Sequence, residues 1–390
     1  GKTLADVGIG DRIVGRADSG RRLKSIWDAP DKCKSKSLSV AERTYMSHVD
    51  KGKVIAAGGI IDPSVLGRVM MHEHLHSDLW DWESDELIKE EKPATAERRR
   101  YLLDNAVPHL TRAREEYGMG AYCDCTMPPW RCWPDLYREV SEASGVHIVI
   151  ATGFYREIEV GTYYVKTAED AIWPFVRQSP VEALTEMCIR EVQEGIHGTD
   201  IRAGCIKLGT SQPEMTETEK KTFRAGARAQ QETGVHITTH CTQLGAETSQ
   251  LSLLEAEGVD LSRVVIGHTC WHLVDPDYRP TMLEWMKRGA NFLPTNMCEQ
   301  DGDLHWVGYT GLIDAIHEVF DAGLGEHLVF GLDSGYCSEA GPLEPAPFLP
   351  PDPWLYMFTD VLPAFREMGL TADEEEAMLV WNPARLLPVQ

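Results

Sequence analysis

The stretch Val69-Met70-Met71-His72-Glu73-His74 decides the fold predicted for this chain. An apolar run typical of a buried strand leads into two histidines at positions i and i+2, and residues with that spacing point to the same side of a strand. His72 and His74 can therefore reach one metal ion together, since imidazole nitrogens bind zinc and other first-row divalent ions. A His-x-His pair also arises by chance, so its meaning depends on the rest of the chain.

Four more candidate ligands each follow a short apolar run further along the chain: Lys207, His240, His268 and Asp333. In a barrel of alternating strands and helices, active-site residues come from the C-terminal ends of the strands. The six residues together predict a two-metal hydrolytic site inside a (β/α)8 barrel. Taken singly, His240 or His268 is better interpreted as a strand-end histidine that hydrogen-bonds a loop carbonyl.

Lys207 is the unusual member of this set, because an ammonium group and metal cations repel each other. It follows the apolar residues 203–206, and burial with nearby positive charge lowers the pKa of a lysine until the neutral amine can add carbon dioxide. The resulting carbamate is anionic, with two oxygens that can bridge two metal ions. Asp333 also emerges from an apolar run, where a metal partner would remove the cost of an unpaired charge.

Short apolar runs alternate with longer amphipathic segments from about Val54 onward, as in βα units of a parallel sheet. The pattern predicts eight strands, at residues 68–71, 120–125, 147–152, 203–208, 235–239, 263–267, 290–294 and 328–332. Capping boxes are predicted at 179–182, 216–219 and 371–374, and glycine helix ends at Gly145, Gly234 and Gly289. Residues 1–53 are predicted to form a basic N-terminal arm and residues 54–390 the barrel.

Composition limits the classes of partner and compartment. The 390 residues are 43% hydrophobic, enough for one large domain, and the formal charge of −23 argues against a nucleic-acid partner or an anionic membrane. The ten cysteines include no CxxC pair and predict reduced thiols in the cytoplasm. With no bilayer-spanning stretch and no secretory signal found, we expect a soluble, cytoplasmic protein.

Short motifs in a fixed order carry a resemblance that covers most of the chain, from about Val54 to Leu387. They are Gly59-Ile60-Ile61-Asp62-Pro63, Leu66-Gly67, Met71-His72-Glu73-His74-Leu75, Thr152-Gly153-Phe154-Tyr155, Glu194-Gly195-Ile196-His197-Gly198-Thr199, Ala203-Gly204-Cys205-Ile206-Lys207, Thr238-Thr239-His240, Ile266-Gly267-His268 and Asn382-Pro383-Ala384-Arg385. In this order and setting, the sequence resembles the phosphotriesterase family of the amidohydrolase superfamily, whose members include phosphotriesterase-like lactonases.

The resemblance implies a role for each candidate ligand. His72, His74 and Asp333 would bind the more buried of two divalent ions, and His240 and His268 the more exposed one. Lys207, carboxylated on its side-chain nitrogen, would bridge them. The ions would be zinc, with manganese, iron or cobalt as alternatives, and a metal-bridging hydroxide would attack the substrate while Asp333 moves a proton to the leaving group. Tyr155 matches a tyrosine near the metals of similar lactonases, with a packing role as its alternative, and the resemblance implies a homodimer.

The expected substrate is a small-molecule carboxylic ester, in particular a lactone, with promiscuous phosphotriesterase activity. An aromatic mouth is predicted from residues after several strands, namely Trp130, Trp133, Trp271, His272, His305, Trp306 and Tyr336, with packing of loops or a subunit contact as the alternative for the tryptophans. The candidate substrate-binding residues are Tyr155, Trp130, Trp271, His272, Trp306 and Tyr336. The proline-rich loop after the eighth strand departs from the long apolar segment of lactonases that take acyl chains, which favours an aromatic or cyclic ester. Hydrolysis of an amide, a cyclic imide or a phosphate ester is the alternative, and a non-catalytic metal-binding scaffold is a more remote one.

Overall fold

A computed structural model describes residues 50–76, 93–127, 133–157, 173–210, 212–295, 297–298, 307–337, 344–345 and 353–390. Most of the predicted N-terminal arm, residues 1–49, lies outside the described residues, so the division at residue 53 stays a prediction. Within these ranges, no helix combines the length and the apolar character needed to cross a bilayer.

Seven parallel strands, hydrogen-bonded in chain order, form the central sheet. A hairpin of β1 (Val54–Ala56) and β2 (Gly59–Ile61) comes first, and the sheet follows as β3 (Arg68–Glu73), β4 (Met119–Asp124), β5 (His147–Gly153), β6 (Cys205–Gly209), β7 (His236–His240), β8 (Val264–Gly267) and β9 (Asn291–Leu293). Short two-residue strands at Met297–Cys298, Val307–Gly308, Tyr336–Cys337 and Glu344–Pro345 lie outside this sheet. The first seven strand predictions are confirmed to within two residues at either end.

The eighth predicted strand, residues 328–332, forms no regular ladder, and the prediction is wrong in this respect. Single bonds still join it to both neighbours: Val329 donates to Phe292 O at 3.1 Å, and Met71 donates to Phe330 O at 2.7 Å. Leu332 instead donates its N–H to the side chain of Glu73, which removes that group from strand pairing. The segment therefore closes the (β/α)8 barrel between β9 and β3 without being a full strand.

Glycine at position 331 makes this closure possible. A Cβ on Gly331 would lie 2.7 Å from His72 N and 3.0 Å from the His72 Cβ. Real Cβ contacts are not that short, so a larger residue would push the closing segment away from β3. The closing segment carries Asp333 to the mouth of the barrel, and this close approach therefore sets the distance between Asp333 and the histidines of β3.

Helices cover the outside of the barrel. They span Pro93–Tyr117, Pro134–Ser144, Trp173–Gln178, Val181–Gln193, Glu217–Thr233, Ala246–Ala256, Cys270–Val274, Arg279–Lys287, Tyr309–Asp321, Leu362–Glu367, Ala372–Glu376 and Asn382–Leu386, with π-helical turns at Met357–Val361 and Ala377–Trp381. The capping boxes at Thr216 and Thr371 are confirmed. The box at Ser179 is wrong: its hydroxyl donates to Phe175 O at 2.8 Å, and the next helix begins after Pro180 without a side-chain cap.

The buried core has two parts that follow the alternation of side chains along the strands. In β4, Ala121 and Cys123 join the smaller cluster, with residues such as Val69 and Val265 from other strands, whereas Tyr122 joins the larger one. The smaller cluster lies inside the barrel, and the larger fills the layer between sheet and helices. Fully burying one large apolar side chain contributes about 1.5 to 3 kcal/mol to stability. The two layers therefore stabilise the strands whose ends carry the candidate ligands.

Candidate metal centre

All six predicted ligands meet at the C-terminal mouth of the barrel. His72 lies near the end of β3 and His74 directly after it, Lys207 lies in β6, His240 ends β7, His268 follows β8, and Asp333 follows the closing segment. The rings of neighbouring histidines are 4.4 to 5.6 Å apart between centroids. Groups separated by up to 261 positions in the chain thus form one cluster, at the place where barrels collect active-site residues.

Three of these residues form a group that can hold one metal ion. The ligand atoms of His72, His74 and Asp333 all lie within 4.8 Å of one another. Asp333 Oδ1 is 2.9 Å from His74 Nε2 and 3.4 Å from His72 Nε2. Two imidazoles and a carboxylate suit zinc and related divalent ions.

Lys207 is buried in the cluster, with a residue exposure of 1%. Its Nζ lies 3.3 Å from His72 Nε2 and donates to Thr239 O at 3.2 Å. Burial lowers the pKa of Lys207, because an ammonium group is poorly stabilised away from water. This is the environment in which the neutral amine, the form that reacts with carbon dioxide, is favoured.

His240 and His268 form a second pair of rings in the cluster. Their ring centroids are 4.4 Å apart, and His268 Nδ1 is 3.7 Å from Asp333 Oδ2. Among the described residues, the buried Nε2 of His240 has no hydrogen-bond partner. A buried ring nitrogen without a partner is costly, and a metal ion at this position would satisfy it. The donor set therefore fits a metal centre.

Hydroxyl groups contact the second ring nitrogen of three of the histidines. Thr126 Oγ1 is 2.6 Å from His74 Nδ1, Thr295 Oγ1 is 2.8 Å from His268 Nδ1, and the Tyr155 hydroxyl is 3.3 Å from His240 Nδ1. Contacts of this kind fix the orientation and tautomer of metal-binding imidazoles. The sequence reasoning missed both threonines, although each follows the end of a strand, as the ligands themselves do.

The Thr126 contact is compatible with metal binding by His74. The Thr126 hydroxyl can donate to His76 O at 3.3 Å, and its oxygen can then accept a hydrogen bond from His74 Nδ1. In that tautomer the Nε2 lone pair, on the side of Asp333, is available to a metal ion.

Burial and neighbouring charge favour the ligand-competent protonation states. Burial, followed by the positive charge of Lys207, lowers the pKa of His72 well below its usual value, and burial with the adjacent His268 does the same for His240. For Asp333, burial raises the pKa, but His268 and His74 outweigh it, so the net shift is downward. Neutral imidazoles and an ionised carboxylate are the forms that bind metal.

Two of the candidate ligands have a strained backbone. His268 has a φ of 62° and Asp333 a φ of 58°, in the left-handed region that non-glycine residues rarely adopt. Such conformations cost about 1 to 3 kcal/mol each and cluster at functional sites. Their occurrence at two ligands and at few other described residues is independent support for a functional centre.

Glu73, between the two histidines, holds the closing segment in place. Its carboxylate accepts hydrogen bonds from Leu332 N at 2.6 Å, from Ser334 N at 2.9 Å and from Ser334 Oγ at 2.5 Å. These donors flank Asp333 on both sides. Side-chain alternation along β3 turns Glu73 away from His72 and His74. The sequence reasoning did not identify its role, which depends on a contact across 259 positions of the chain.

The residues predicted for the aromatic mouth have different environments. Trp271 is 39% exposed at the start of its helix, whereas His272 is fully buried and contacts Glu247. Tyr155 lies beside His240. Trp130, His305 and Trp306 lie outside the described residues, and of Tyr336 only the backbone is described.

The closed parallel barrel and the six-residue cluster at its C-terminal mouth define a (β/α)8-barrel protein with a candidate metal centre. Residues 52–387 match the model of the phosphotriesterase family, and the chain belongs to this family. It is 28% identical over 337 residues to a phosphotriesterase homology protein of Mycobacterium tuberculosis, covering 86% of this chain and 97% of that protein. It is also 29% identical over 262 residues to the N-acetyltaurine hydrolase of Danio rerio, covering 62% and 70% of the two chains.

A solved structure described as an organophosphorus hydrolase from Deinococcus radiodurans is similar with a TM-score of 0.70 at 31% identity, covering 87% of this chain and 97% of that one. A mutant of a phosphotriesterase-like lactonase from the same organism gives a TM-score of 0.69 at 30% identity, with 86% and 99% coverage. These similarities support the same barrel fold and a hydrolase class.

Proposed function

We propose that this hydrolase cleaves a carboxylic ester, in particular a lactone, and hydrolyses phosphotriesters as a side activity. The observation that carries the proposal is the convergence of four histidines, a buried lysine and an aspartate at the barrel mouth. Both reactions develop charge on an oxygen, and the same centre can stabilise it. The similar structures described as a lactonase and as an organophosphorus hydrolase support this pairing of activities.

The centre would hold two divalent ions, zinc or else manganese, iron or cobalt. His72, His74 and Asp333 would hold one ion, His240 and His268 the other, and carboxylated Lys207 would help to hold both. When bound, the ions would supply an activated water and polarise the acceptor oxygen of the substrate. Carboxylation of Lys207 would also suit two divalent cations, because it would replace a potential cation with a second anion beside Asp333.

The remaining chemistry belongs to the protein. Asp333 accepts a proton and passes it to the leaving group, for which its side-chain exposure of 24% gives access to substrate. Tyr155 orients His240 through its 3.3 Å contact and faces the same space. Trp271, three residues after His268, would provide an exposed aromatic surface for the ring of a cyclic or aromatic ester. Roles for Trp130, Trp306 and Tyr336 in substrate binding stay predictions, as do the homodimer and the cytoplasmic location.

Amide hydrolysis is the second candidate, favoured by the similarity to N-acetyltaurine hydrolases of fish and human. An amide needs stronger protonation of its leaving group than an ester does, and Asp333 is the group placed to supply the proton. The two candidates share the centre and differ only in substrate.

A substrate panel separates these candidates. Metal-loaded protein is assayed with γ- and δ-lactones, aryl acetates, N-acyl taurines and an aryl phosphotriester, beside Lys207→Ala as the inactive control. We expect the highest kcat/KM with a lactone, and turnover only of N-acyl taurines would replace the ester proposal with the amide one. No turnover of any substrate by protein whose hydrolytic centre is filled with metal would favour the scaffold interpretation.

A further inference from the structure

A second group of buried potential ligands lies beside the barrel mouth and has no part in the proposed hydrolysis. Cys241, Glu247 and His272 are each fully buried, and their ligand atoms all lie within 4.8 Å of one another. Cys241 directly follows His240 at the end of β7, Glu247 lies in the first turn of Ala246–Ala256, and His272 lies in Cys270–Val274.

The potential ligand atoms lie close to His272 Nε2. Cys241 Sγ is 3.8 Å from His272 Nε2, and Glu247 Oε2 is 3.3 Å from the same nitrogen. A fourth atom, the main-chain oxygen of Gln243, lies 3.2 Å from His272 Nε2 and 4.0 Å from Cys241 Sγ. Zinc bonds of roughly 2.0 to 2.3 Å in a tetrahedron place neighbouring ligand atoms about 3.3 to 3.6 Å apart. The observed separations are close to that arrangement.

Hydrogen bonds join the atoms of this group only in part. His272 Nε2 faces a carboxylate oxygen, a carbonyl oxygen and a sulfur, and the single hydrogen it can carry serves only one of them. The Gln243 oxygen also accepts a hydrogen bond from Ala246 N at 3.0 Å, which leaves its second lone pair for another partner. A cation at the centre would contact all of these atoms at once. A thiolate and a carboxylate would also balance the charge of a divalent ion, which matters in a fully buried site.

Glu247 is held in the orientation that such a site needs. The hydroxyl groups of Tyr278 and Thr248 donate to Oε1, the latter at 2.8 Å, while Gly245 N donates to Oε2 at 3.0 Å. The second oxygen therefore stays turned toward His272. Hydrogen-bonded support of a carboxylate is common at metal sites.

We propose that Cys241, Glu247, His272 and the carbonyl of Gln243 form a third metal site, for one tetrahedral divalent ion of the zinc type. On binding, the Cys241 thiol releases its proton to solvent and its sulfur bonds the metal, while neutral His272 binds through Nε2. The site is structural, because four protein atoms complete the coordination and leave no position for water. It joins the segment after His240 to the helix after His268, so it fixes the loops that carry the two ligands of the more exposed ion.

Cobalt provides a readout that the hydrolytic centre cannot give. Thiolate bonded to Co²⁺ absorbs in the near ultraviolet by charge transfer, and none of the six residues of the hydrolytic centre contains sulfur. Metal-free full-length protein is titrated with Co²⁺ while absorption and bound metal are measured. We expect about three ions per chain in total, with the charge-transfer band saturating at about one of them.

Three variants make the titration decisive. Cys241→Ser should abolish the band and reduce bound metal by about one ion, whereas Cys188→Ser, which removes another buried thiol from Val181–Gln193, should leave both unchanged. Lys207→Ala should retain the band while emptying the hydrolytic centre, so failure of the third site and failure of the proposed hydrolase are distinguishable. If Cys241→Ser does not fold, Glu247→Gln should keep the band but weaken cobalt binding at least tenfold.

A wild-type titration without a charge-transfer band, or with the band intact in Cys241→Ser, would overturn the proposal. The first result would leave Cys241, Glu247 and His272 as a hydrogen-bonded cluster, and the second would assign the band to another thiol.

Discussion

Replacing Glu73 tests whether a buried carboxylate positions Asp333. In Glu73→Ala, the N–H groups of Leu332 and Ser334 lose their acceptor inside the barrel. Each buried donor left without a partner costs about 1 to 3 kcal/mol, and the Ser334 hydroxyl can rotate to another acceptor. The cost of burying the carboxylate opposes this loss, since burial raises the pKa of Glu73 to about 8. We therefore expect the lower part of the range, a loss of about 2 to 3 kcal/mol in unfolding free energy.

Two further variants, one at Glu73 and one at an exposed glutamate, calibrate this loss of stability. Glu73→Gln can keep the acceptor for Ser334 but turns an amide NH₂ toward Leu332 N, so we expect a loss of about 1 to 2 kcal/mol. Glu182→Ala removes a carboxylate whose side chain is 77% exposed in its pair with Arg228, and should stay within about 0.5 kcal/mol of wild type.

Urea denaturation measures the unfolding free energy of the three variants. Metal analysis after zinc loading measures how much zinc each variant binds, and so tests whether Asp333 is still in position. Glu73→Ala should also bind less zinc than Glu182→Ala, because the backbone on both sides of Asp333 is released. If Glu73→Ala matched Glu182→Ala in both measurements, the reasoning about the closing segment would be refuted.

Three shorter predictions concern other parts of the barrel. Burial lowers the pKa of His236 from 6.5 to about 3. As pH falls below 6.5, His236 therefore becomes protonated in the unfolded chain but stays neutral in the folded one. The unfolding free energy then drops by up to about 1.4 kcal/mol per pH unit. His236→Leu should therefore show a shallower loss of unfolding free energy between about pH 6.5 and pH 5. Tyr155→Phe should reduce kcat about tenfold, because its hydroxyl contact with His240 Nδ1 is lost and the ring of His240 is less firmly oriented. Gly331→Ala should destabilise by about 2 kcal/mol or more, because its Cβ meets His72 N.

Each of these three predictions has an outcome that would contradict it. An identical pH dependence of unfolding for wild type and His236→Leu would contradict the first, and unchanged kcat in Tyr155→Phe the second. For the third, Gly58→Ala is matched, since its added Cβ would have only ordinary contact, at 3.8 Å from Ser141. Equal stability of the two alanine variants would contradict the close approach at Gly331.

The sequence predicts the repeating part of the fold because each βα unit is locally encoded. Apolar strand runs, the capping boxes at Thr216 and Thr371, and the left-handed glycines Gly145 and Gly234 all act within a few residues. The closing segment was harder to predict, because its pairing is broken by a side chain from the first barrel strand. Ser179 shows the same limit locally, since its hydroxyl ends the preceding helix instead of capping the next.

The candidate ligands were predictable because they combine metal-binding chemistry with positions at strand ends. Their supports were not: Thr126, Thr295 and Glu73 are common residue types whose roles depend on contacts between distant segments. The environment of His272 was equally hidden, because the sequence gives its place after His268 but not its burial against Glu247. Trp271, its neighbour, is 39% exposed.

Anomalous diffraction from crystals of zinc-loaded protein tests the central claim most directly. We expect two anomalous peaks enclosed by His72, His74, His240, His268 and Asp333, with extra density on Lys207 Nζ that extends to both. A single peak or none among these residues, or a bare Lys207 amine directed away from the metals, would contradict the account of a binuclear hydrolase.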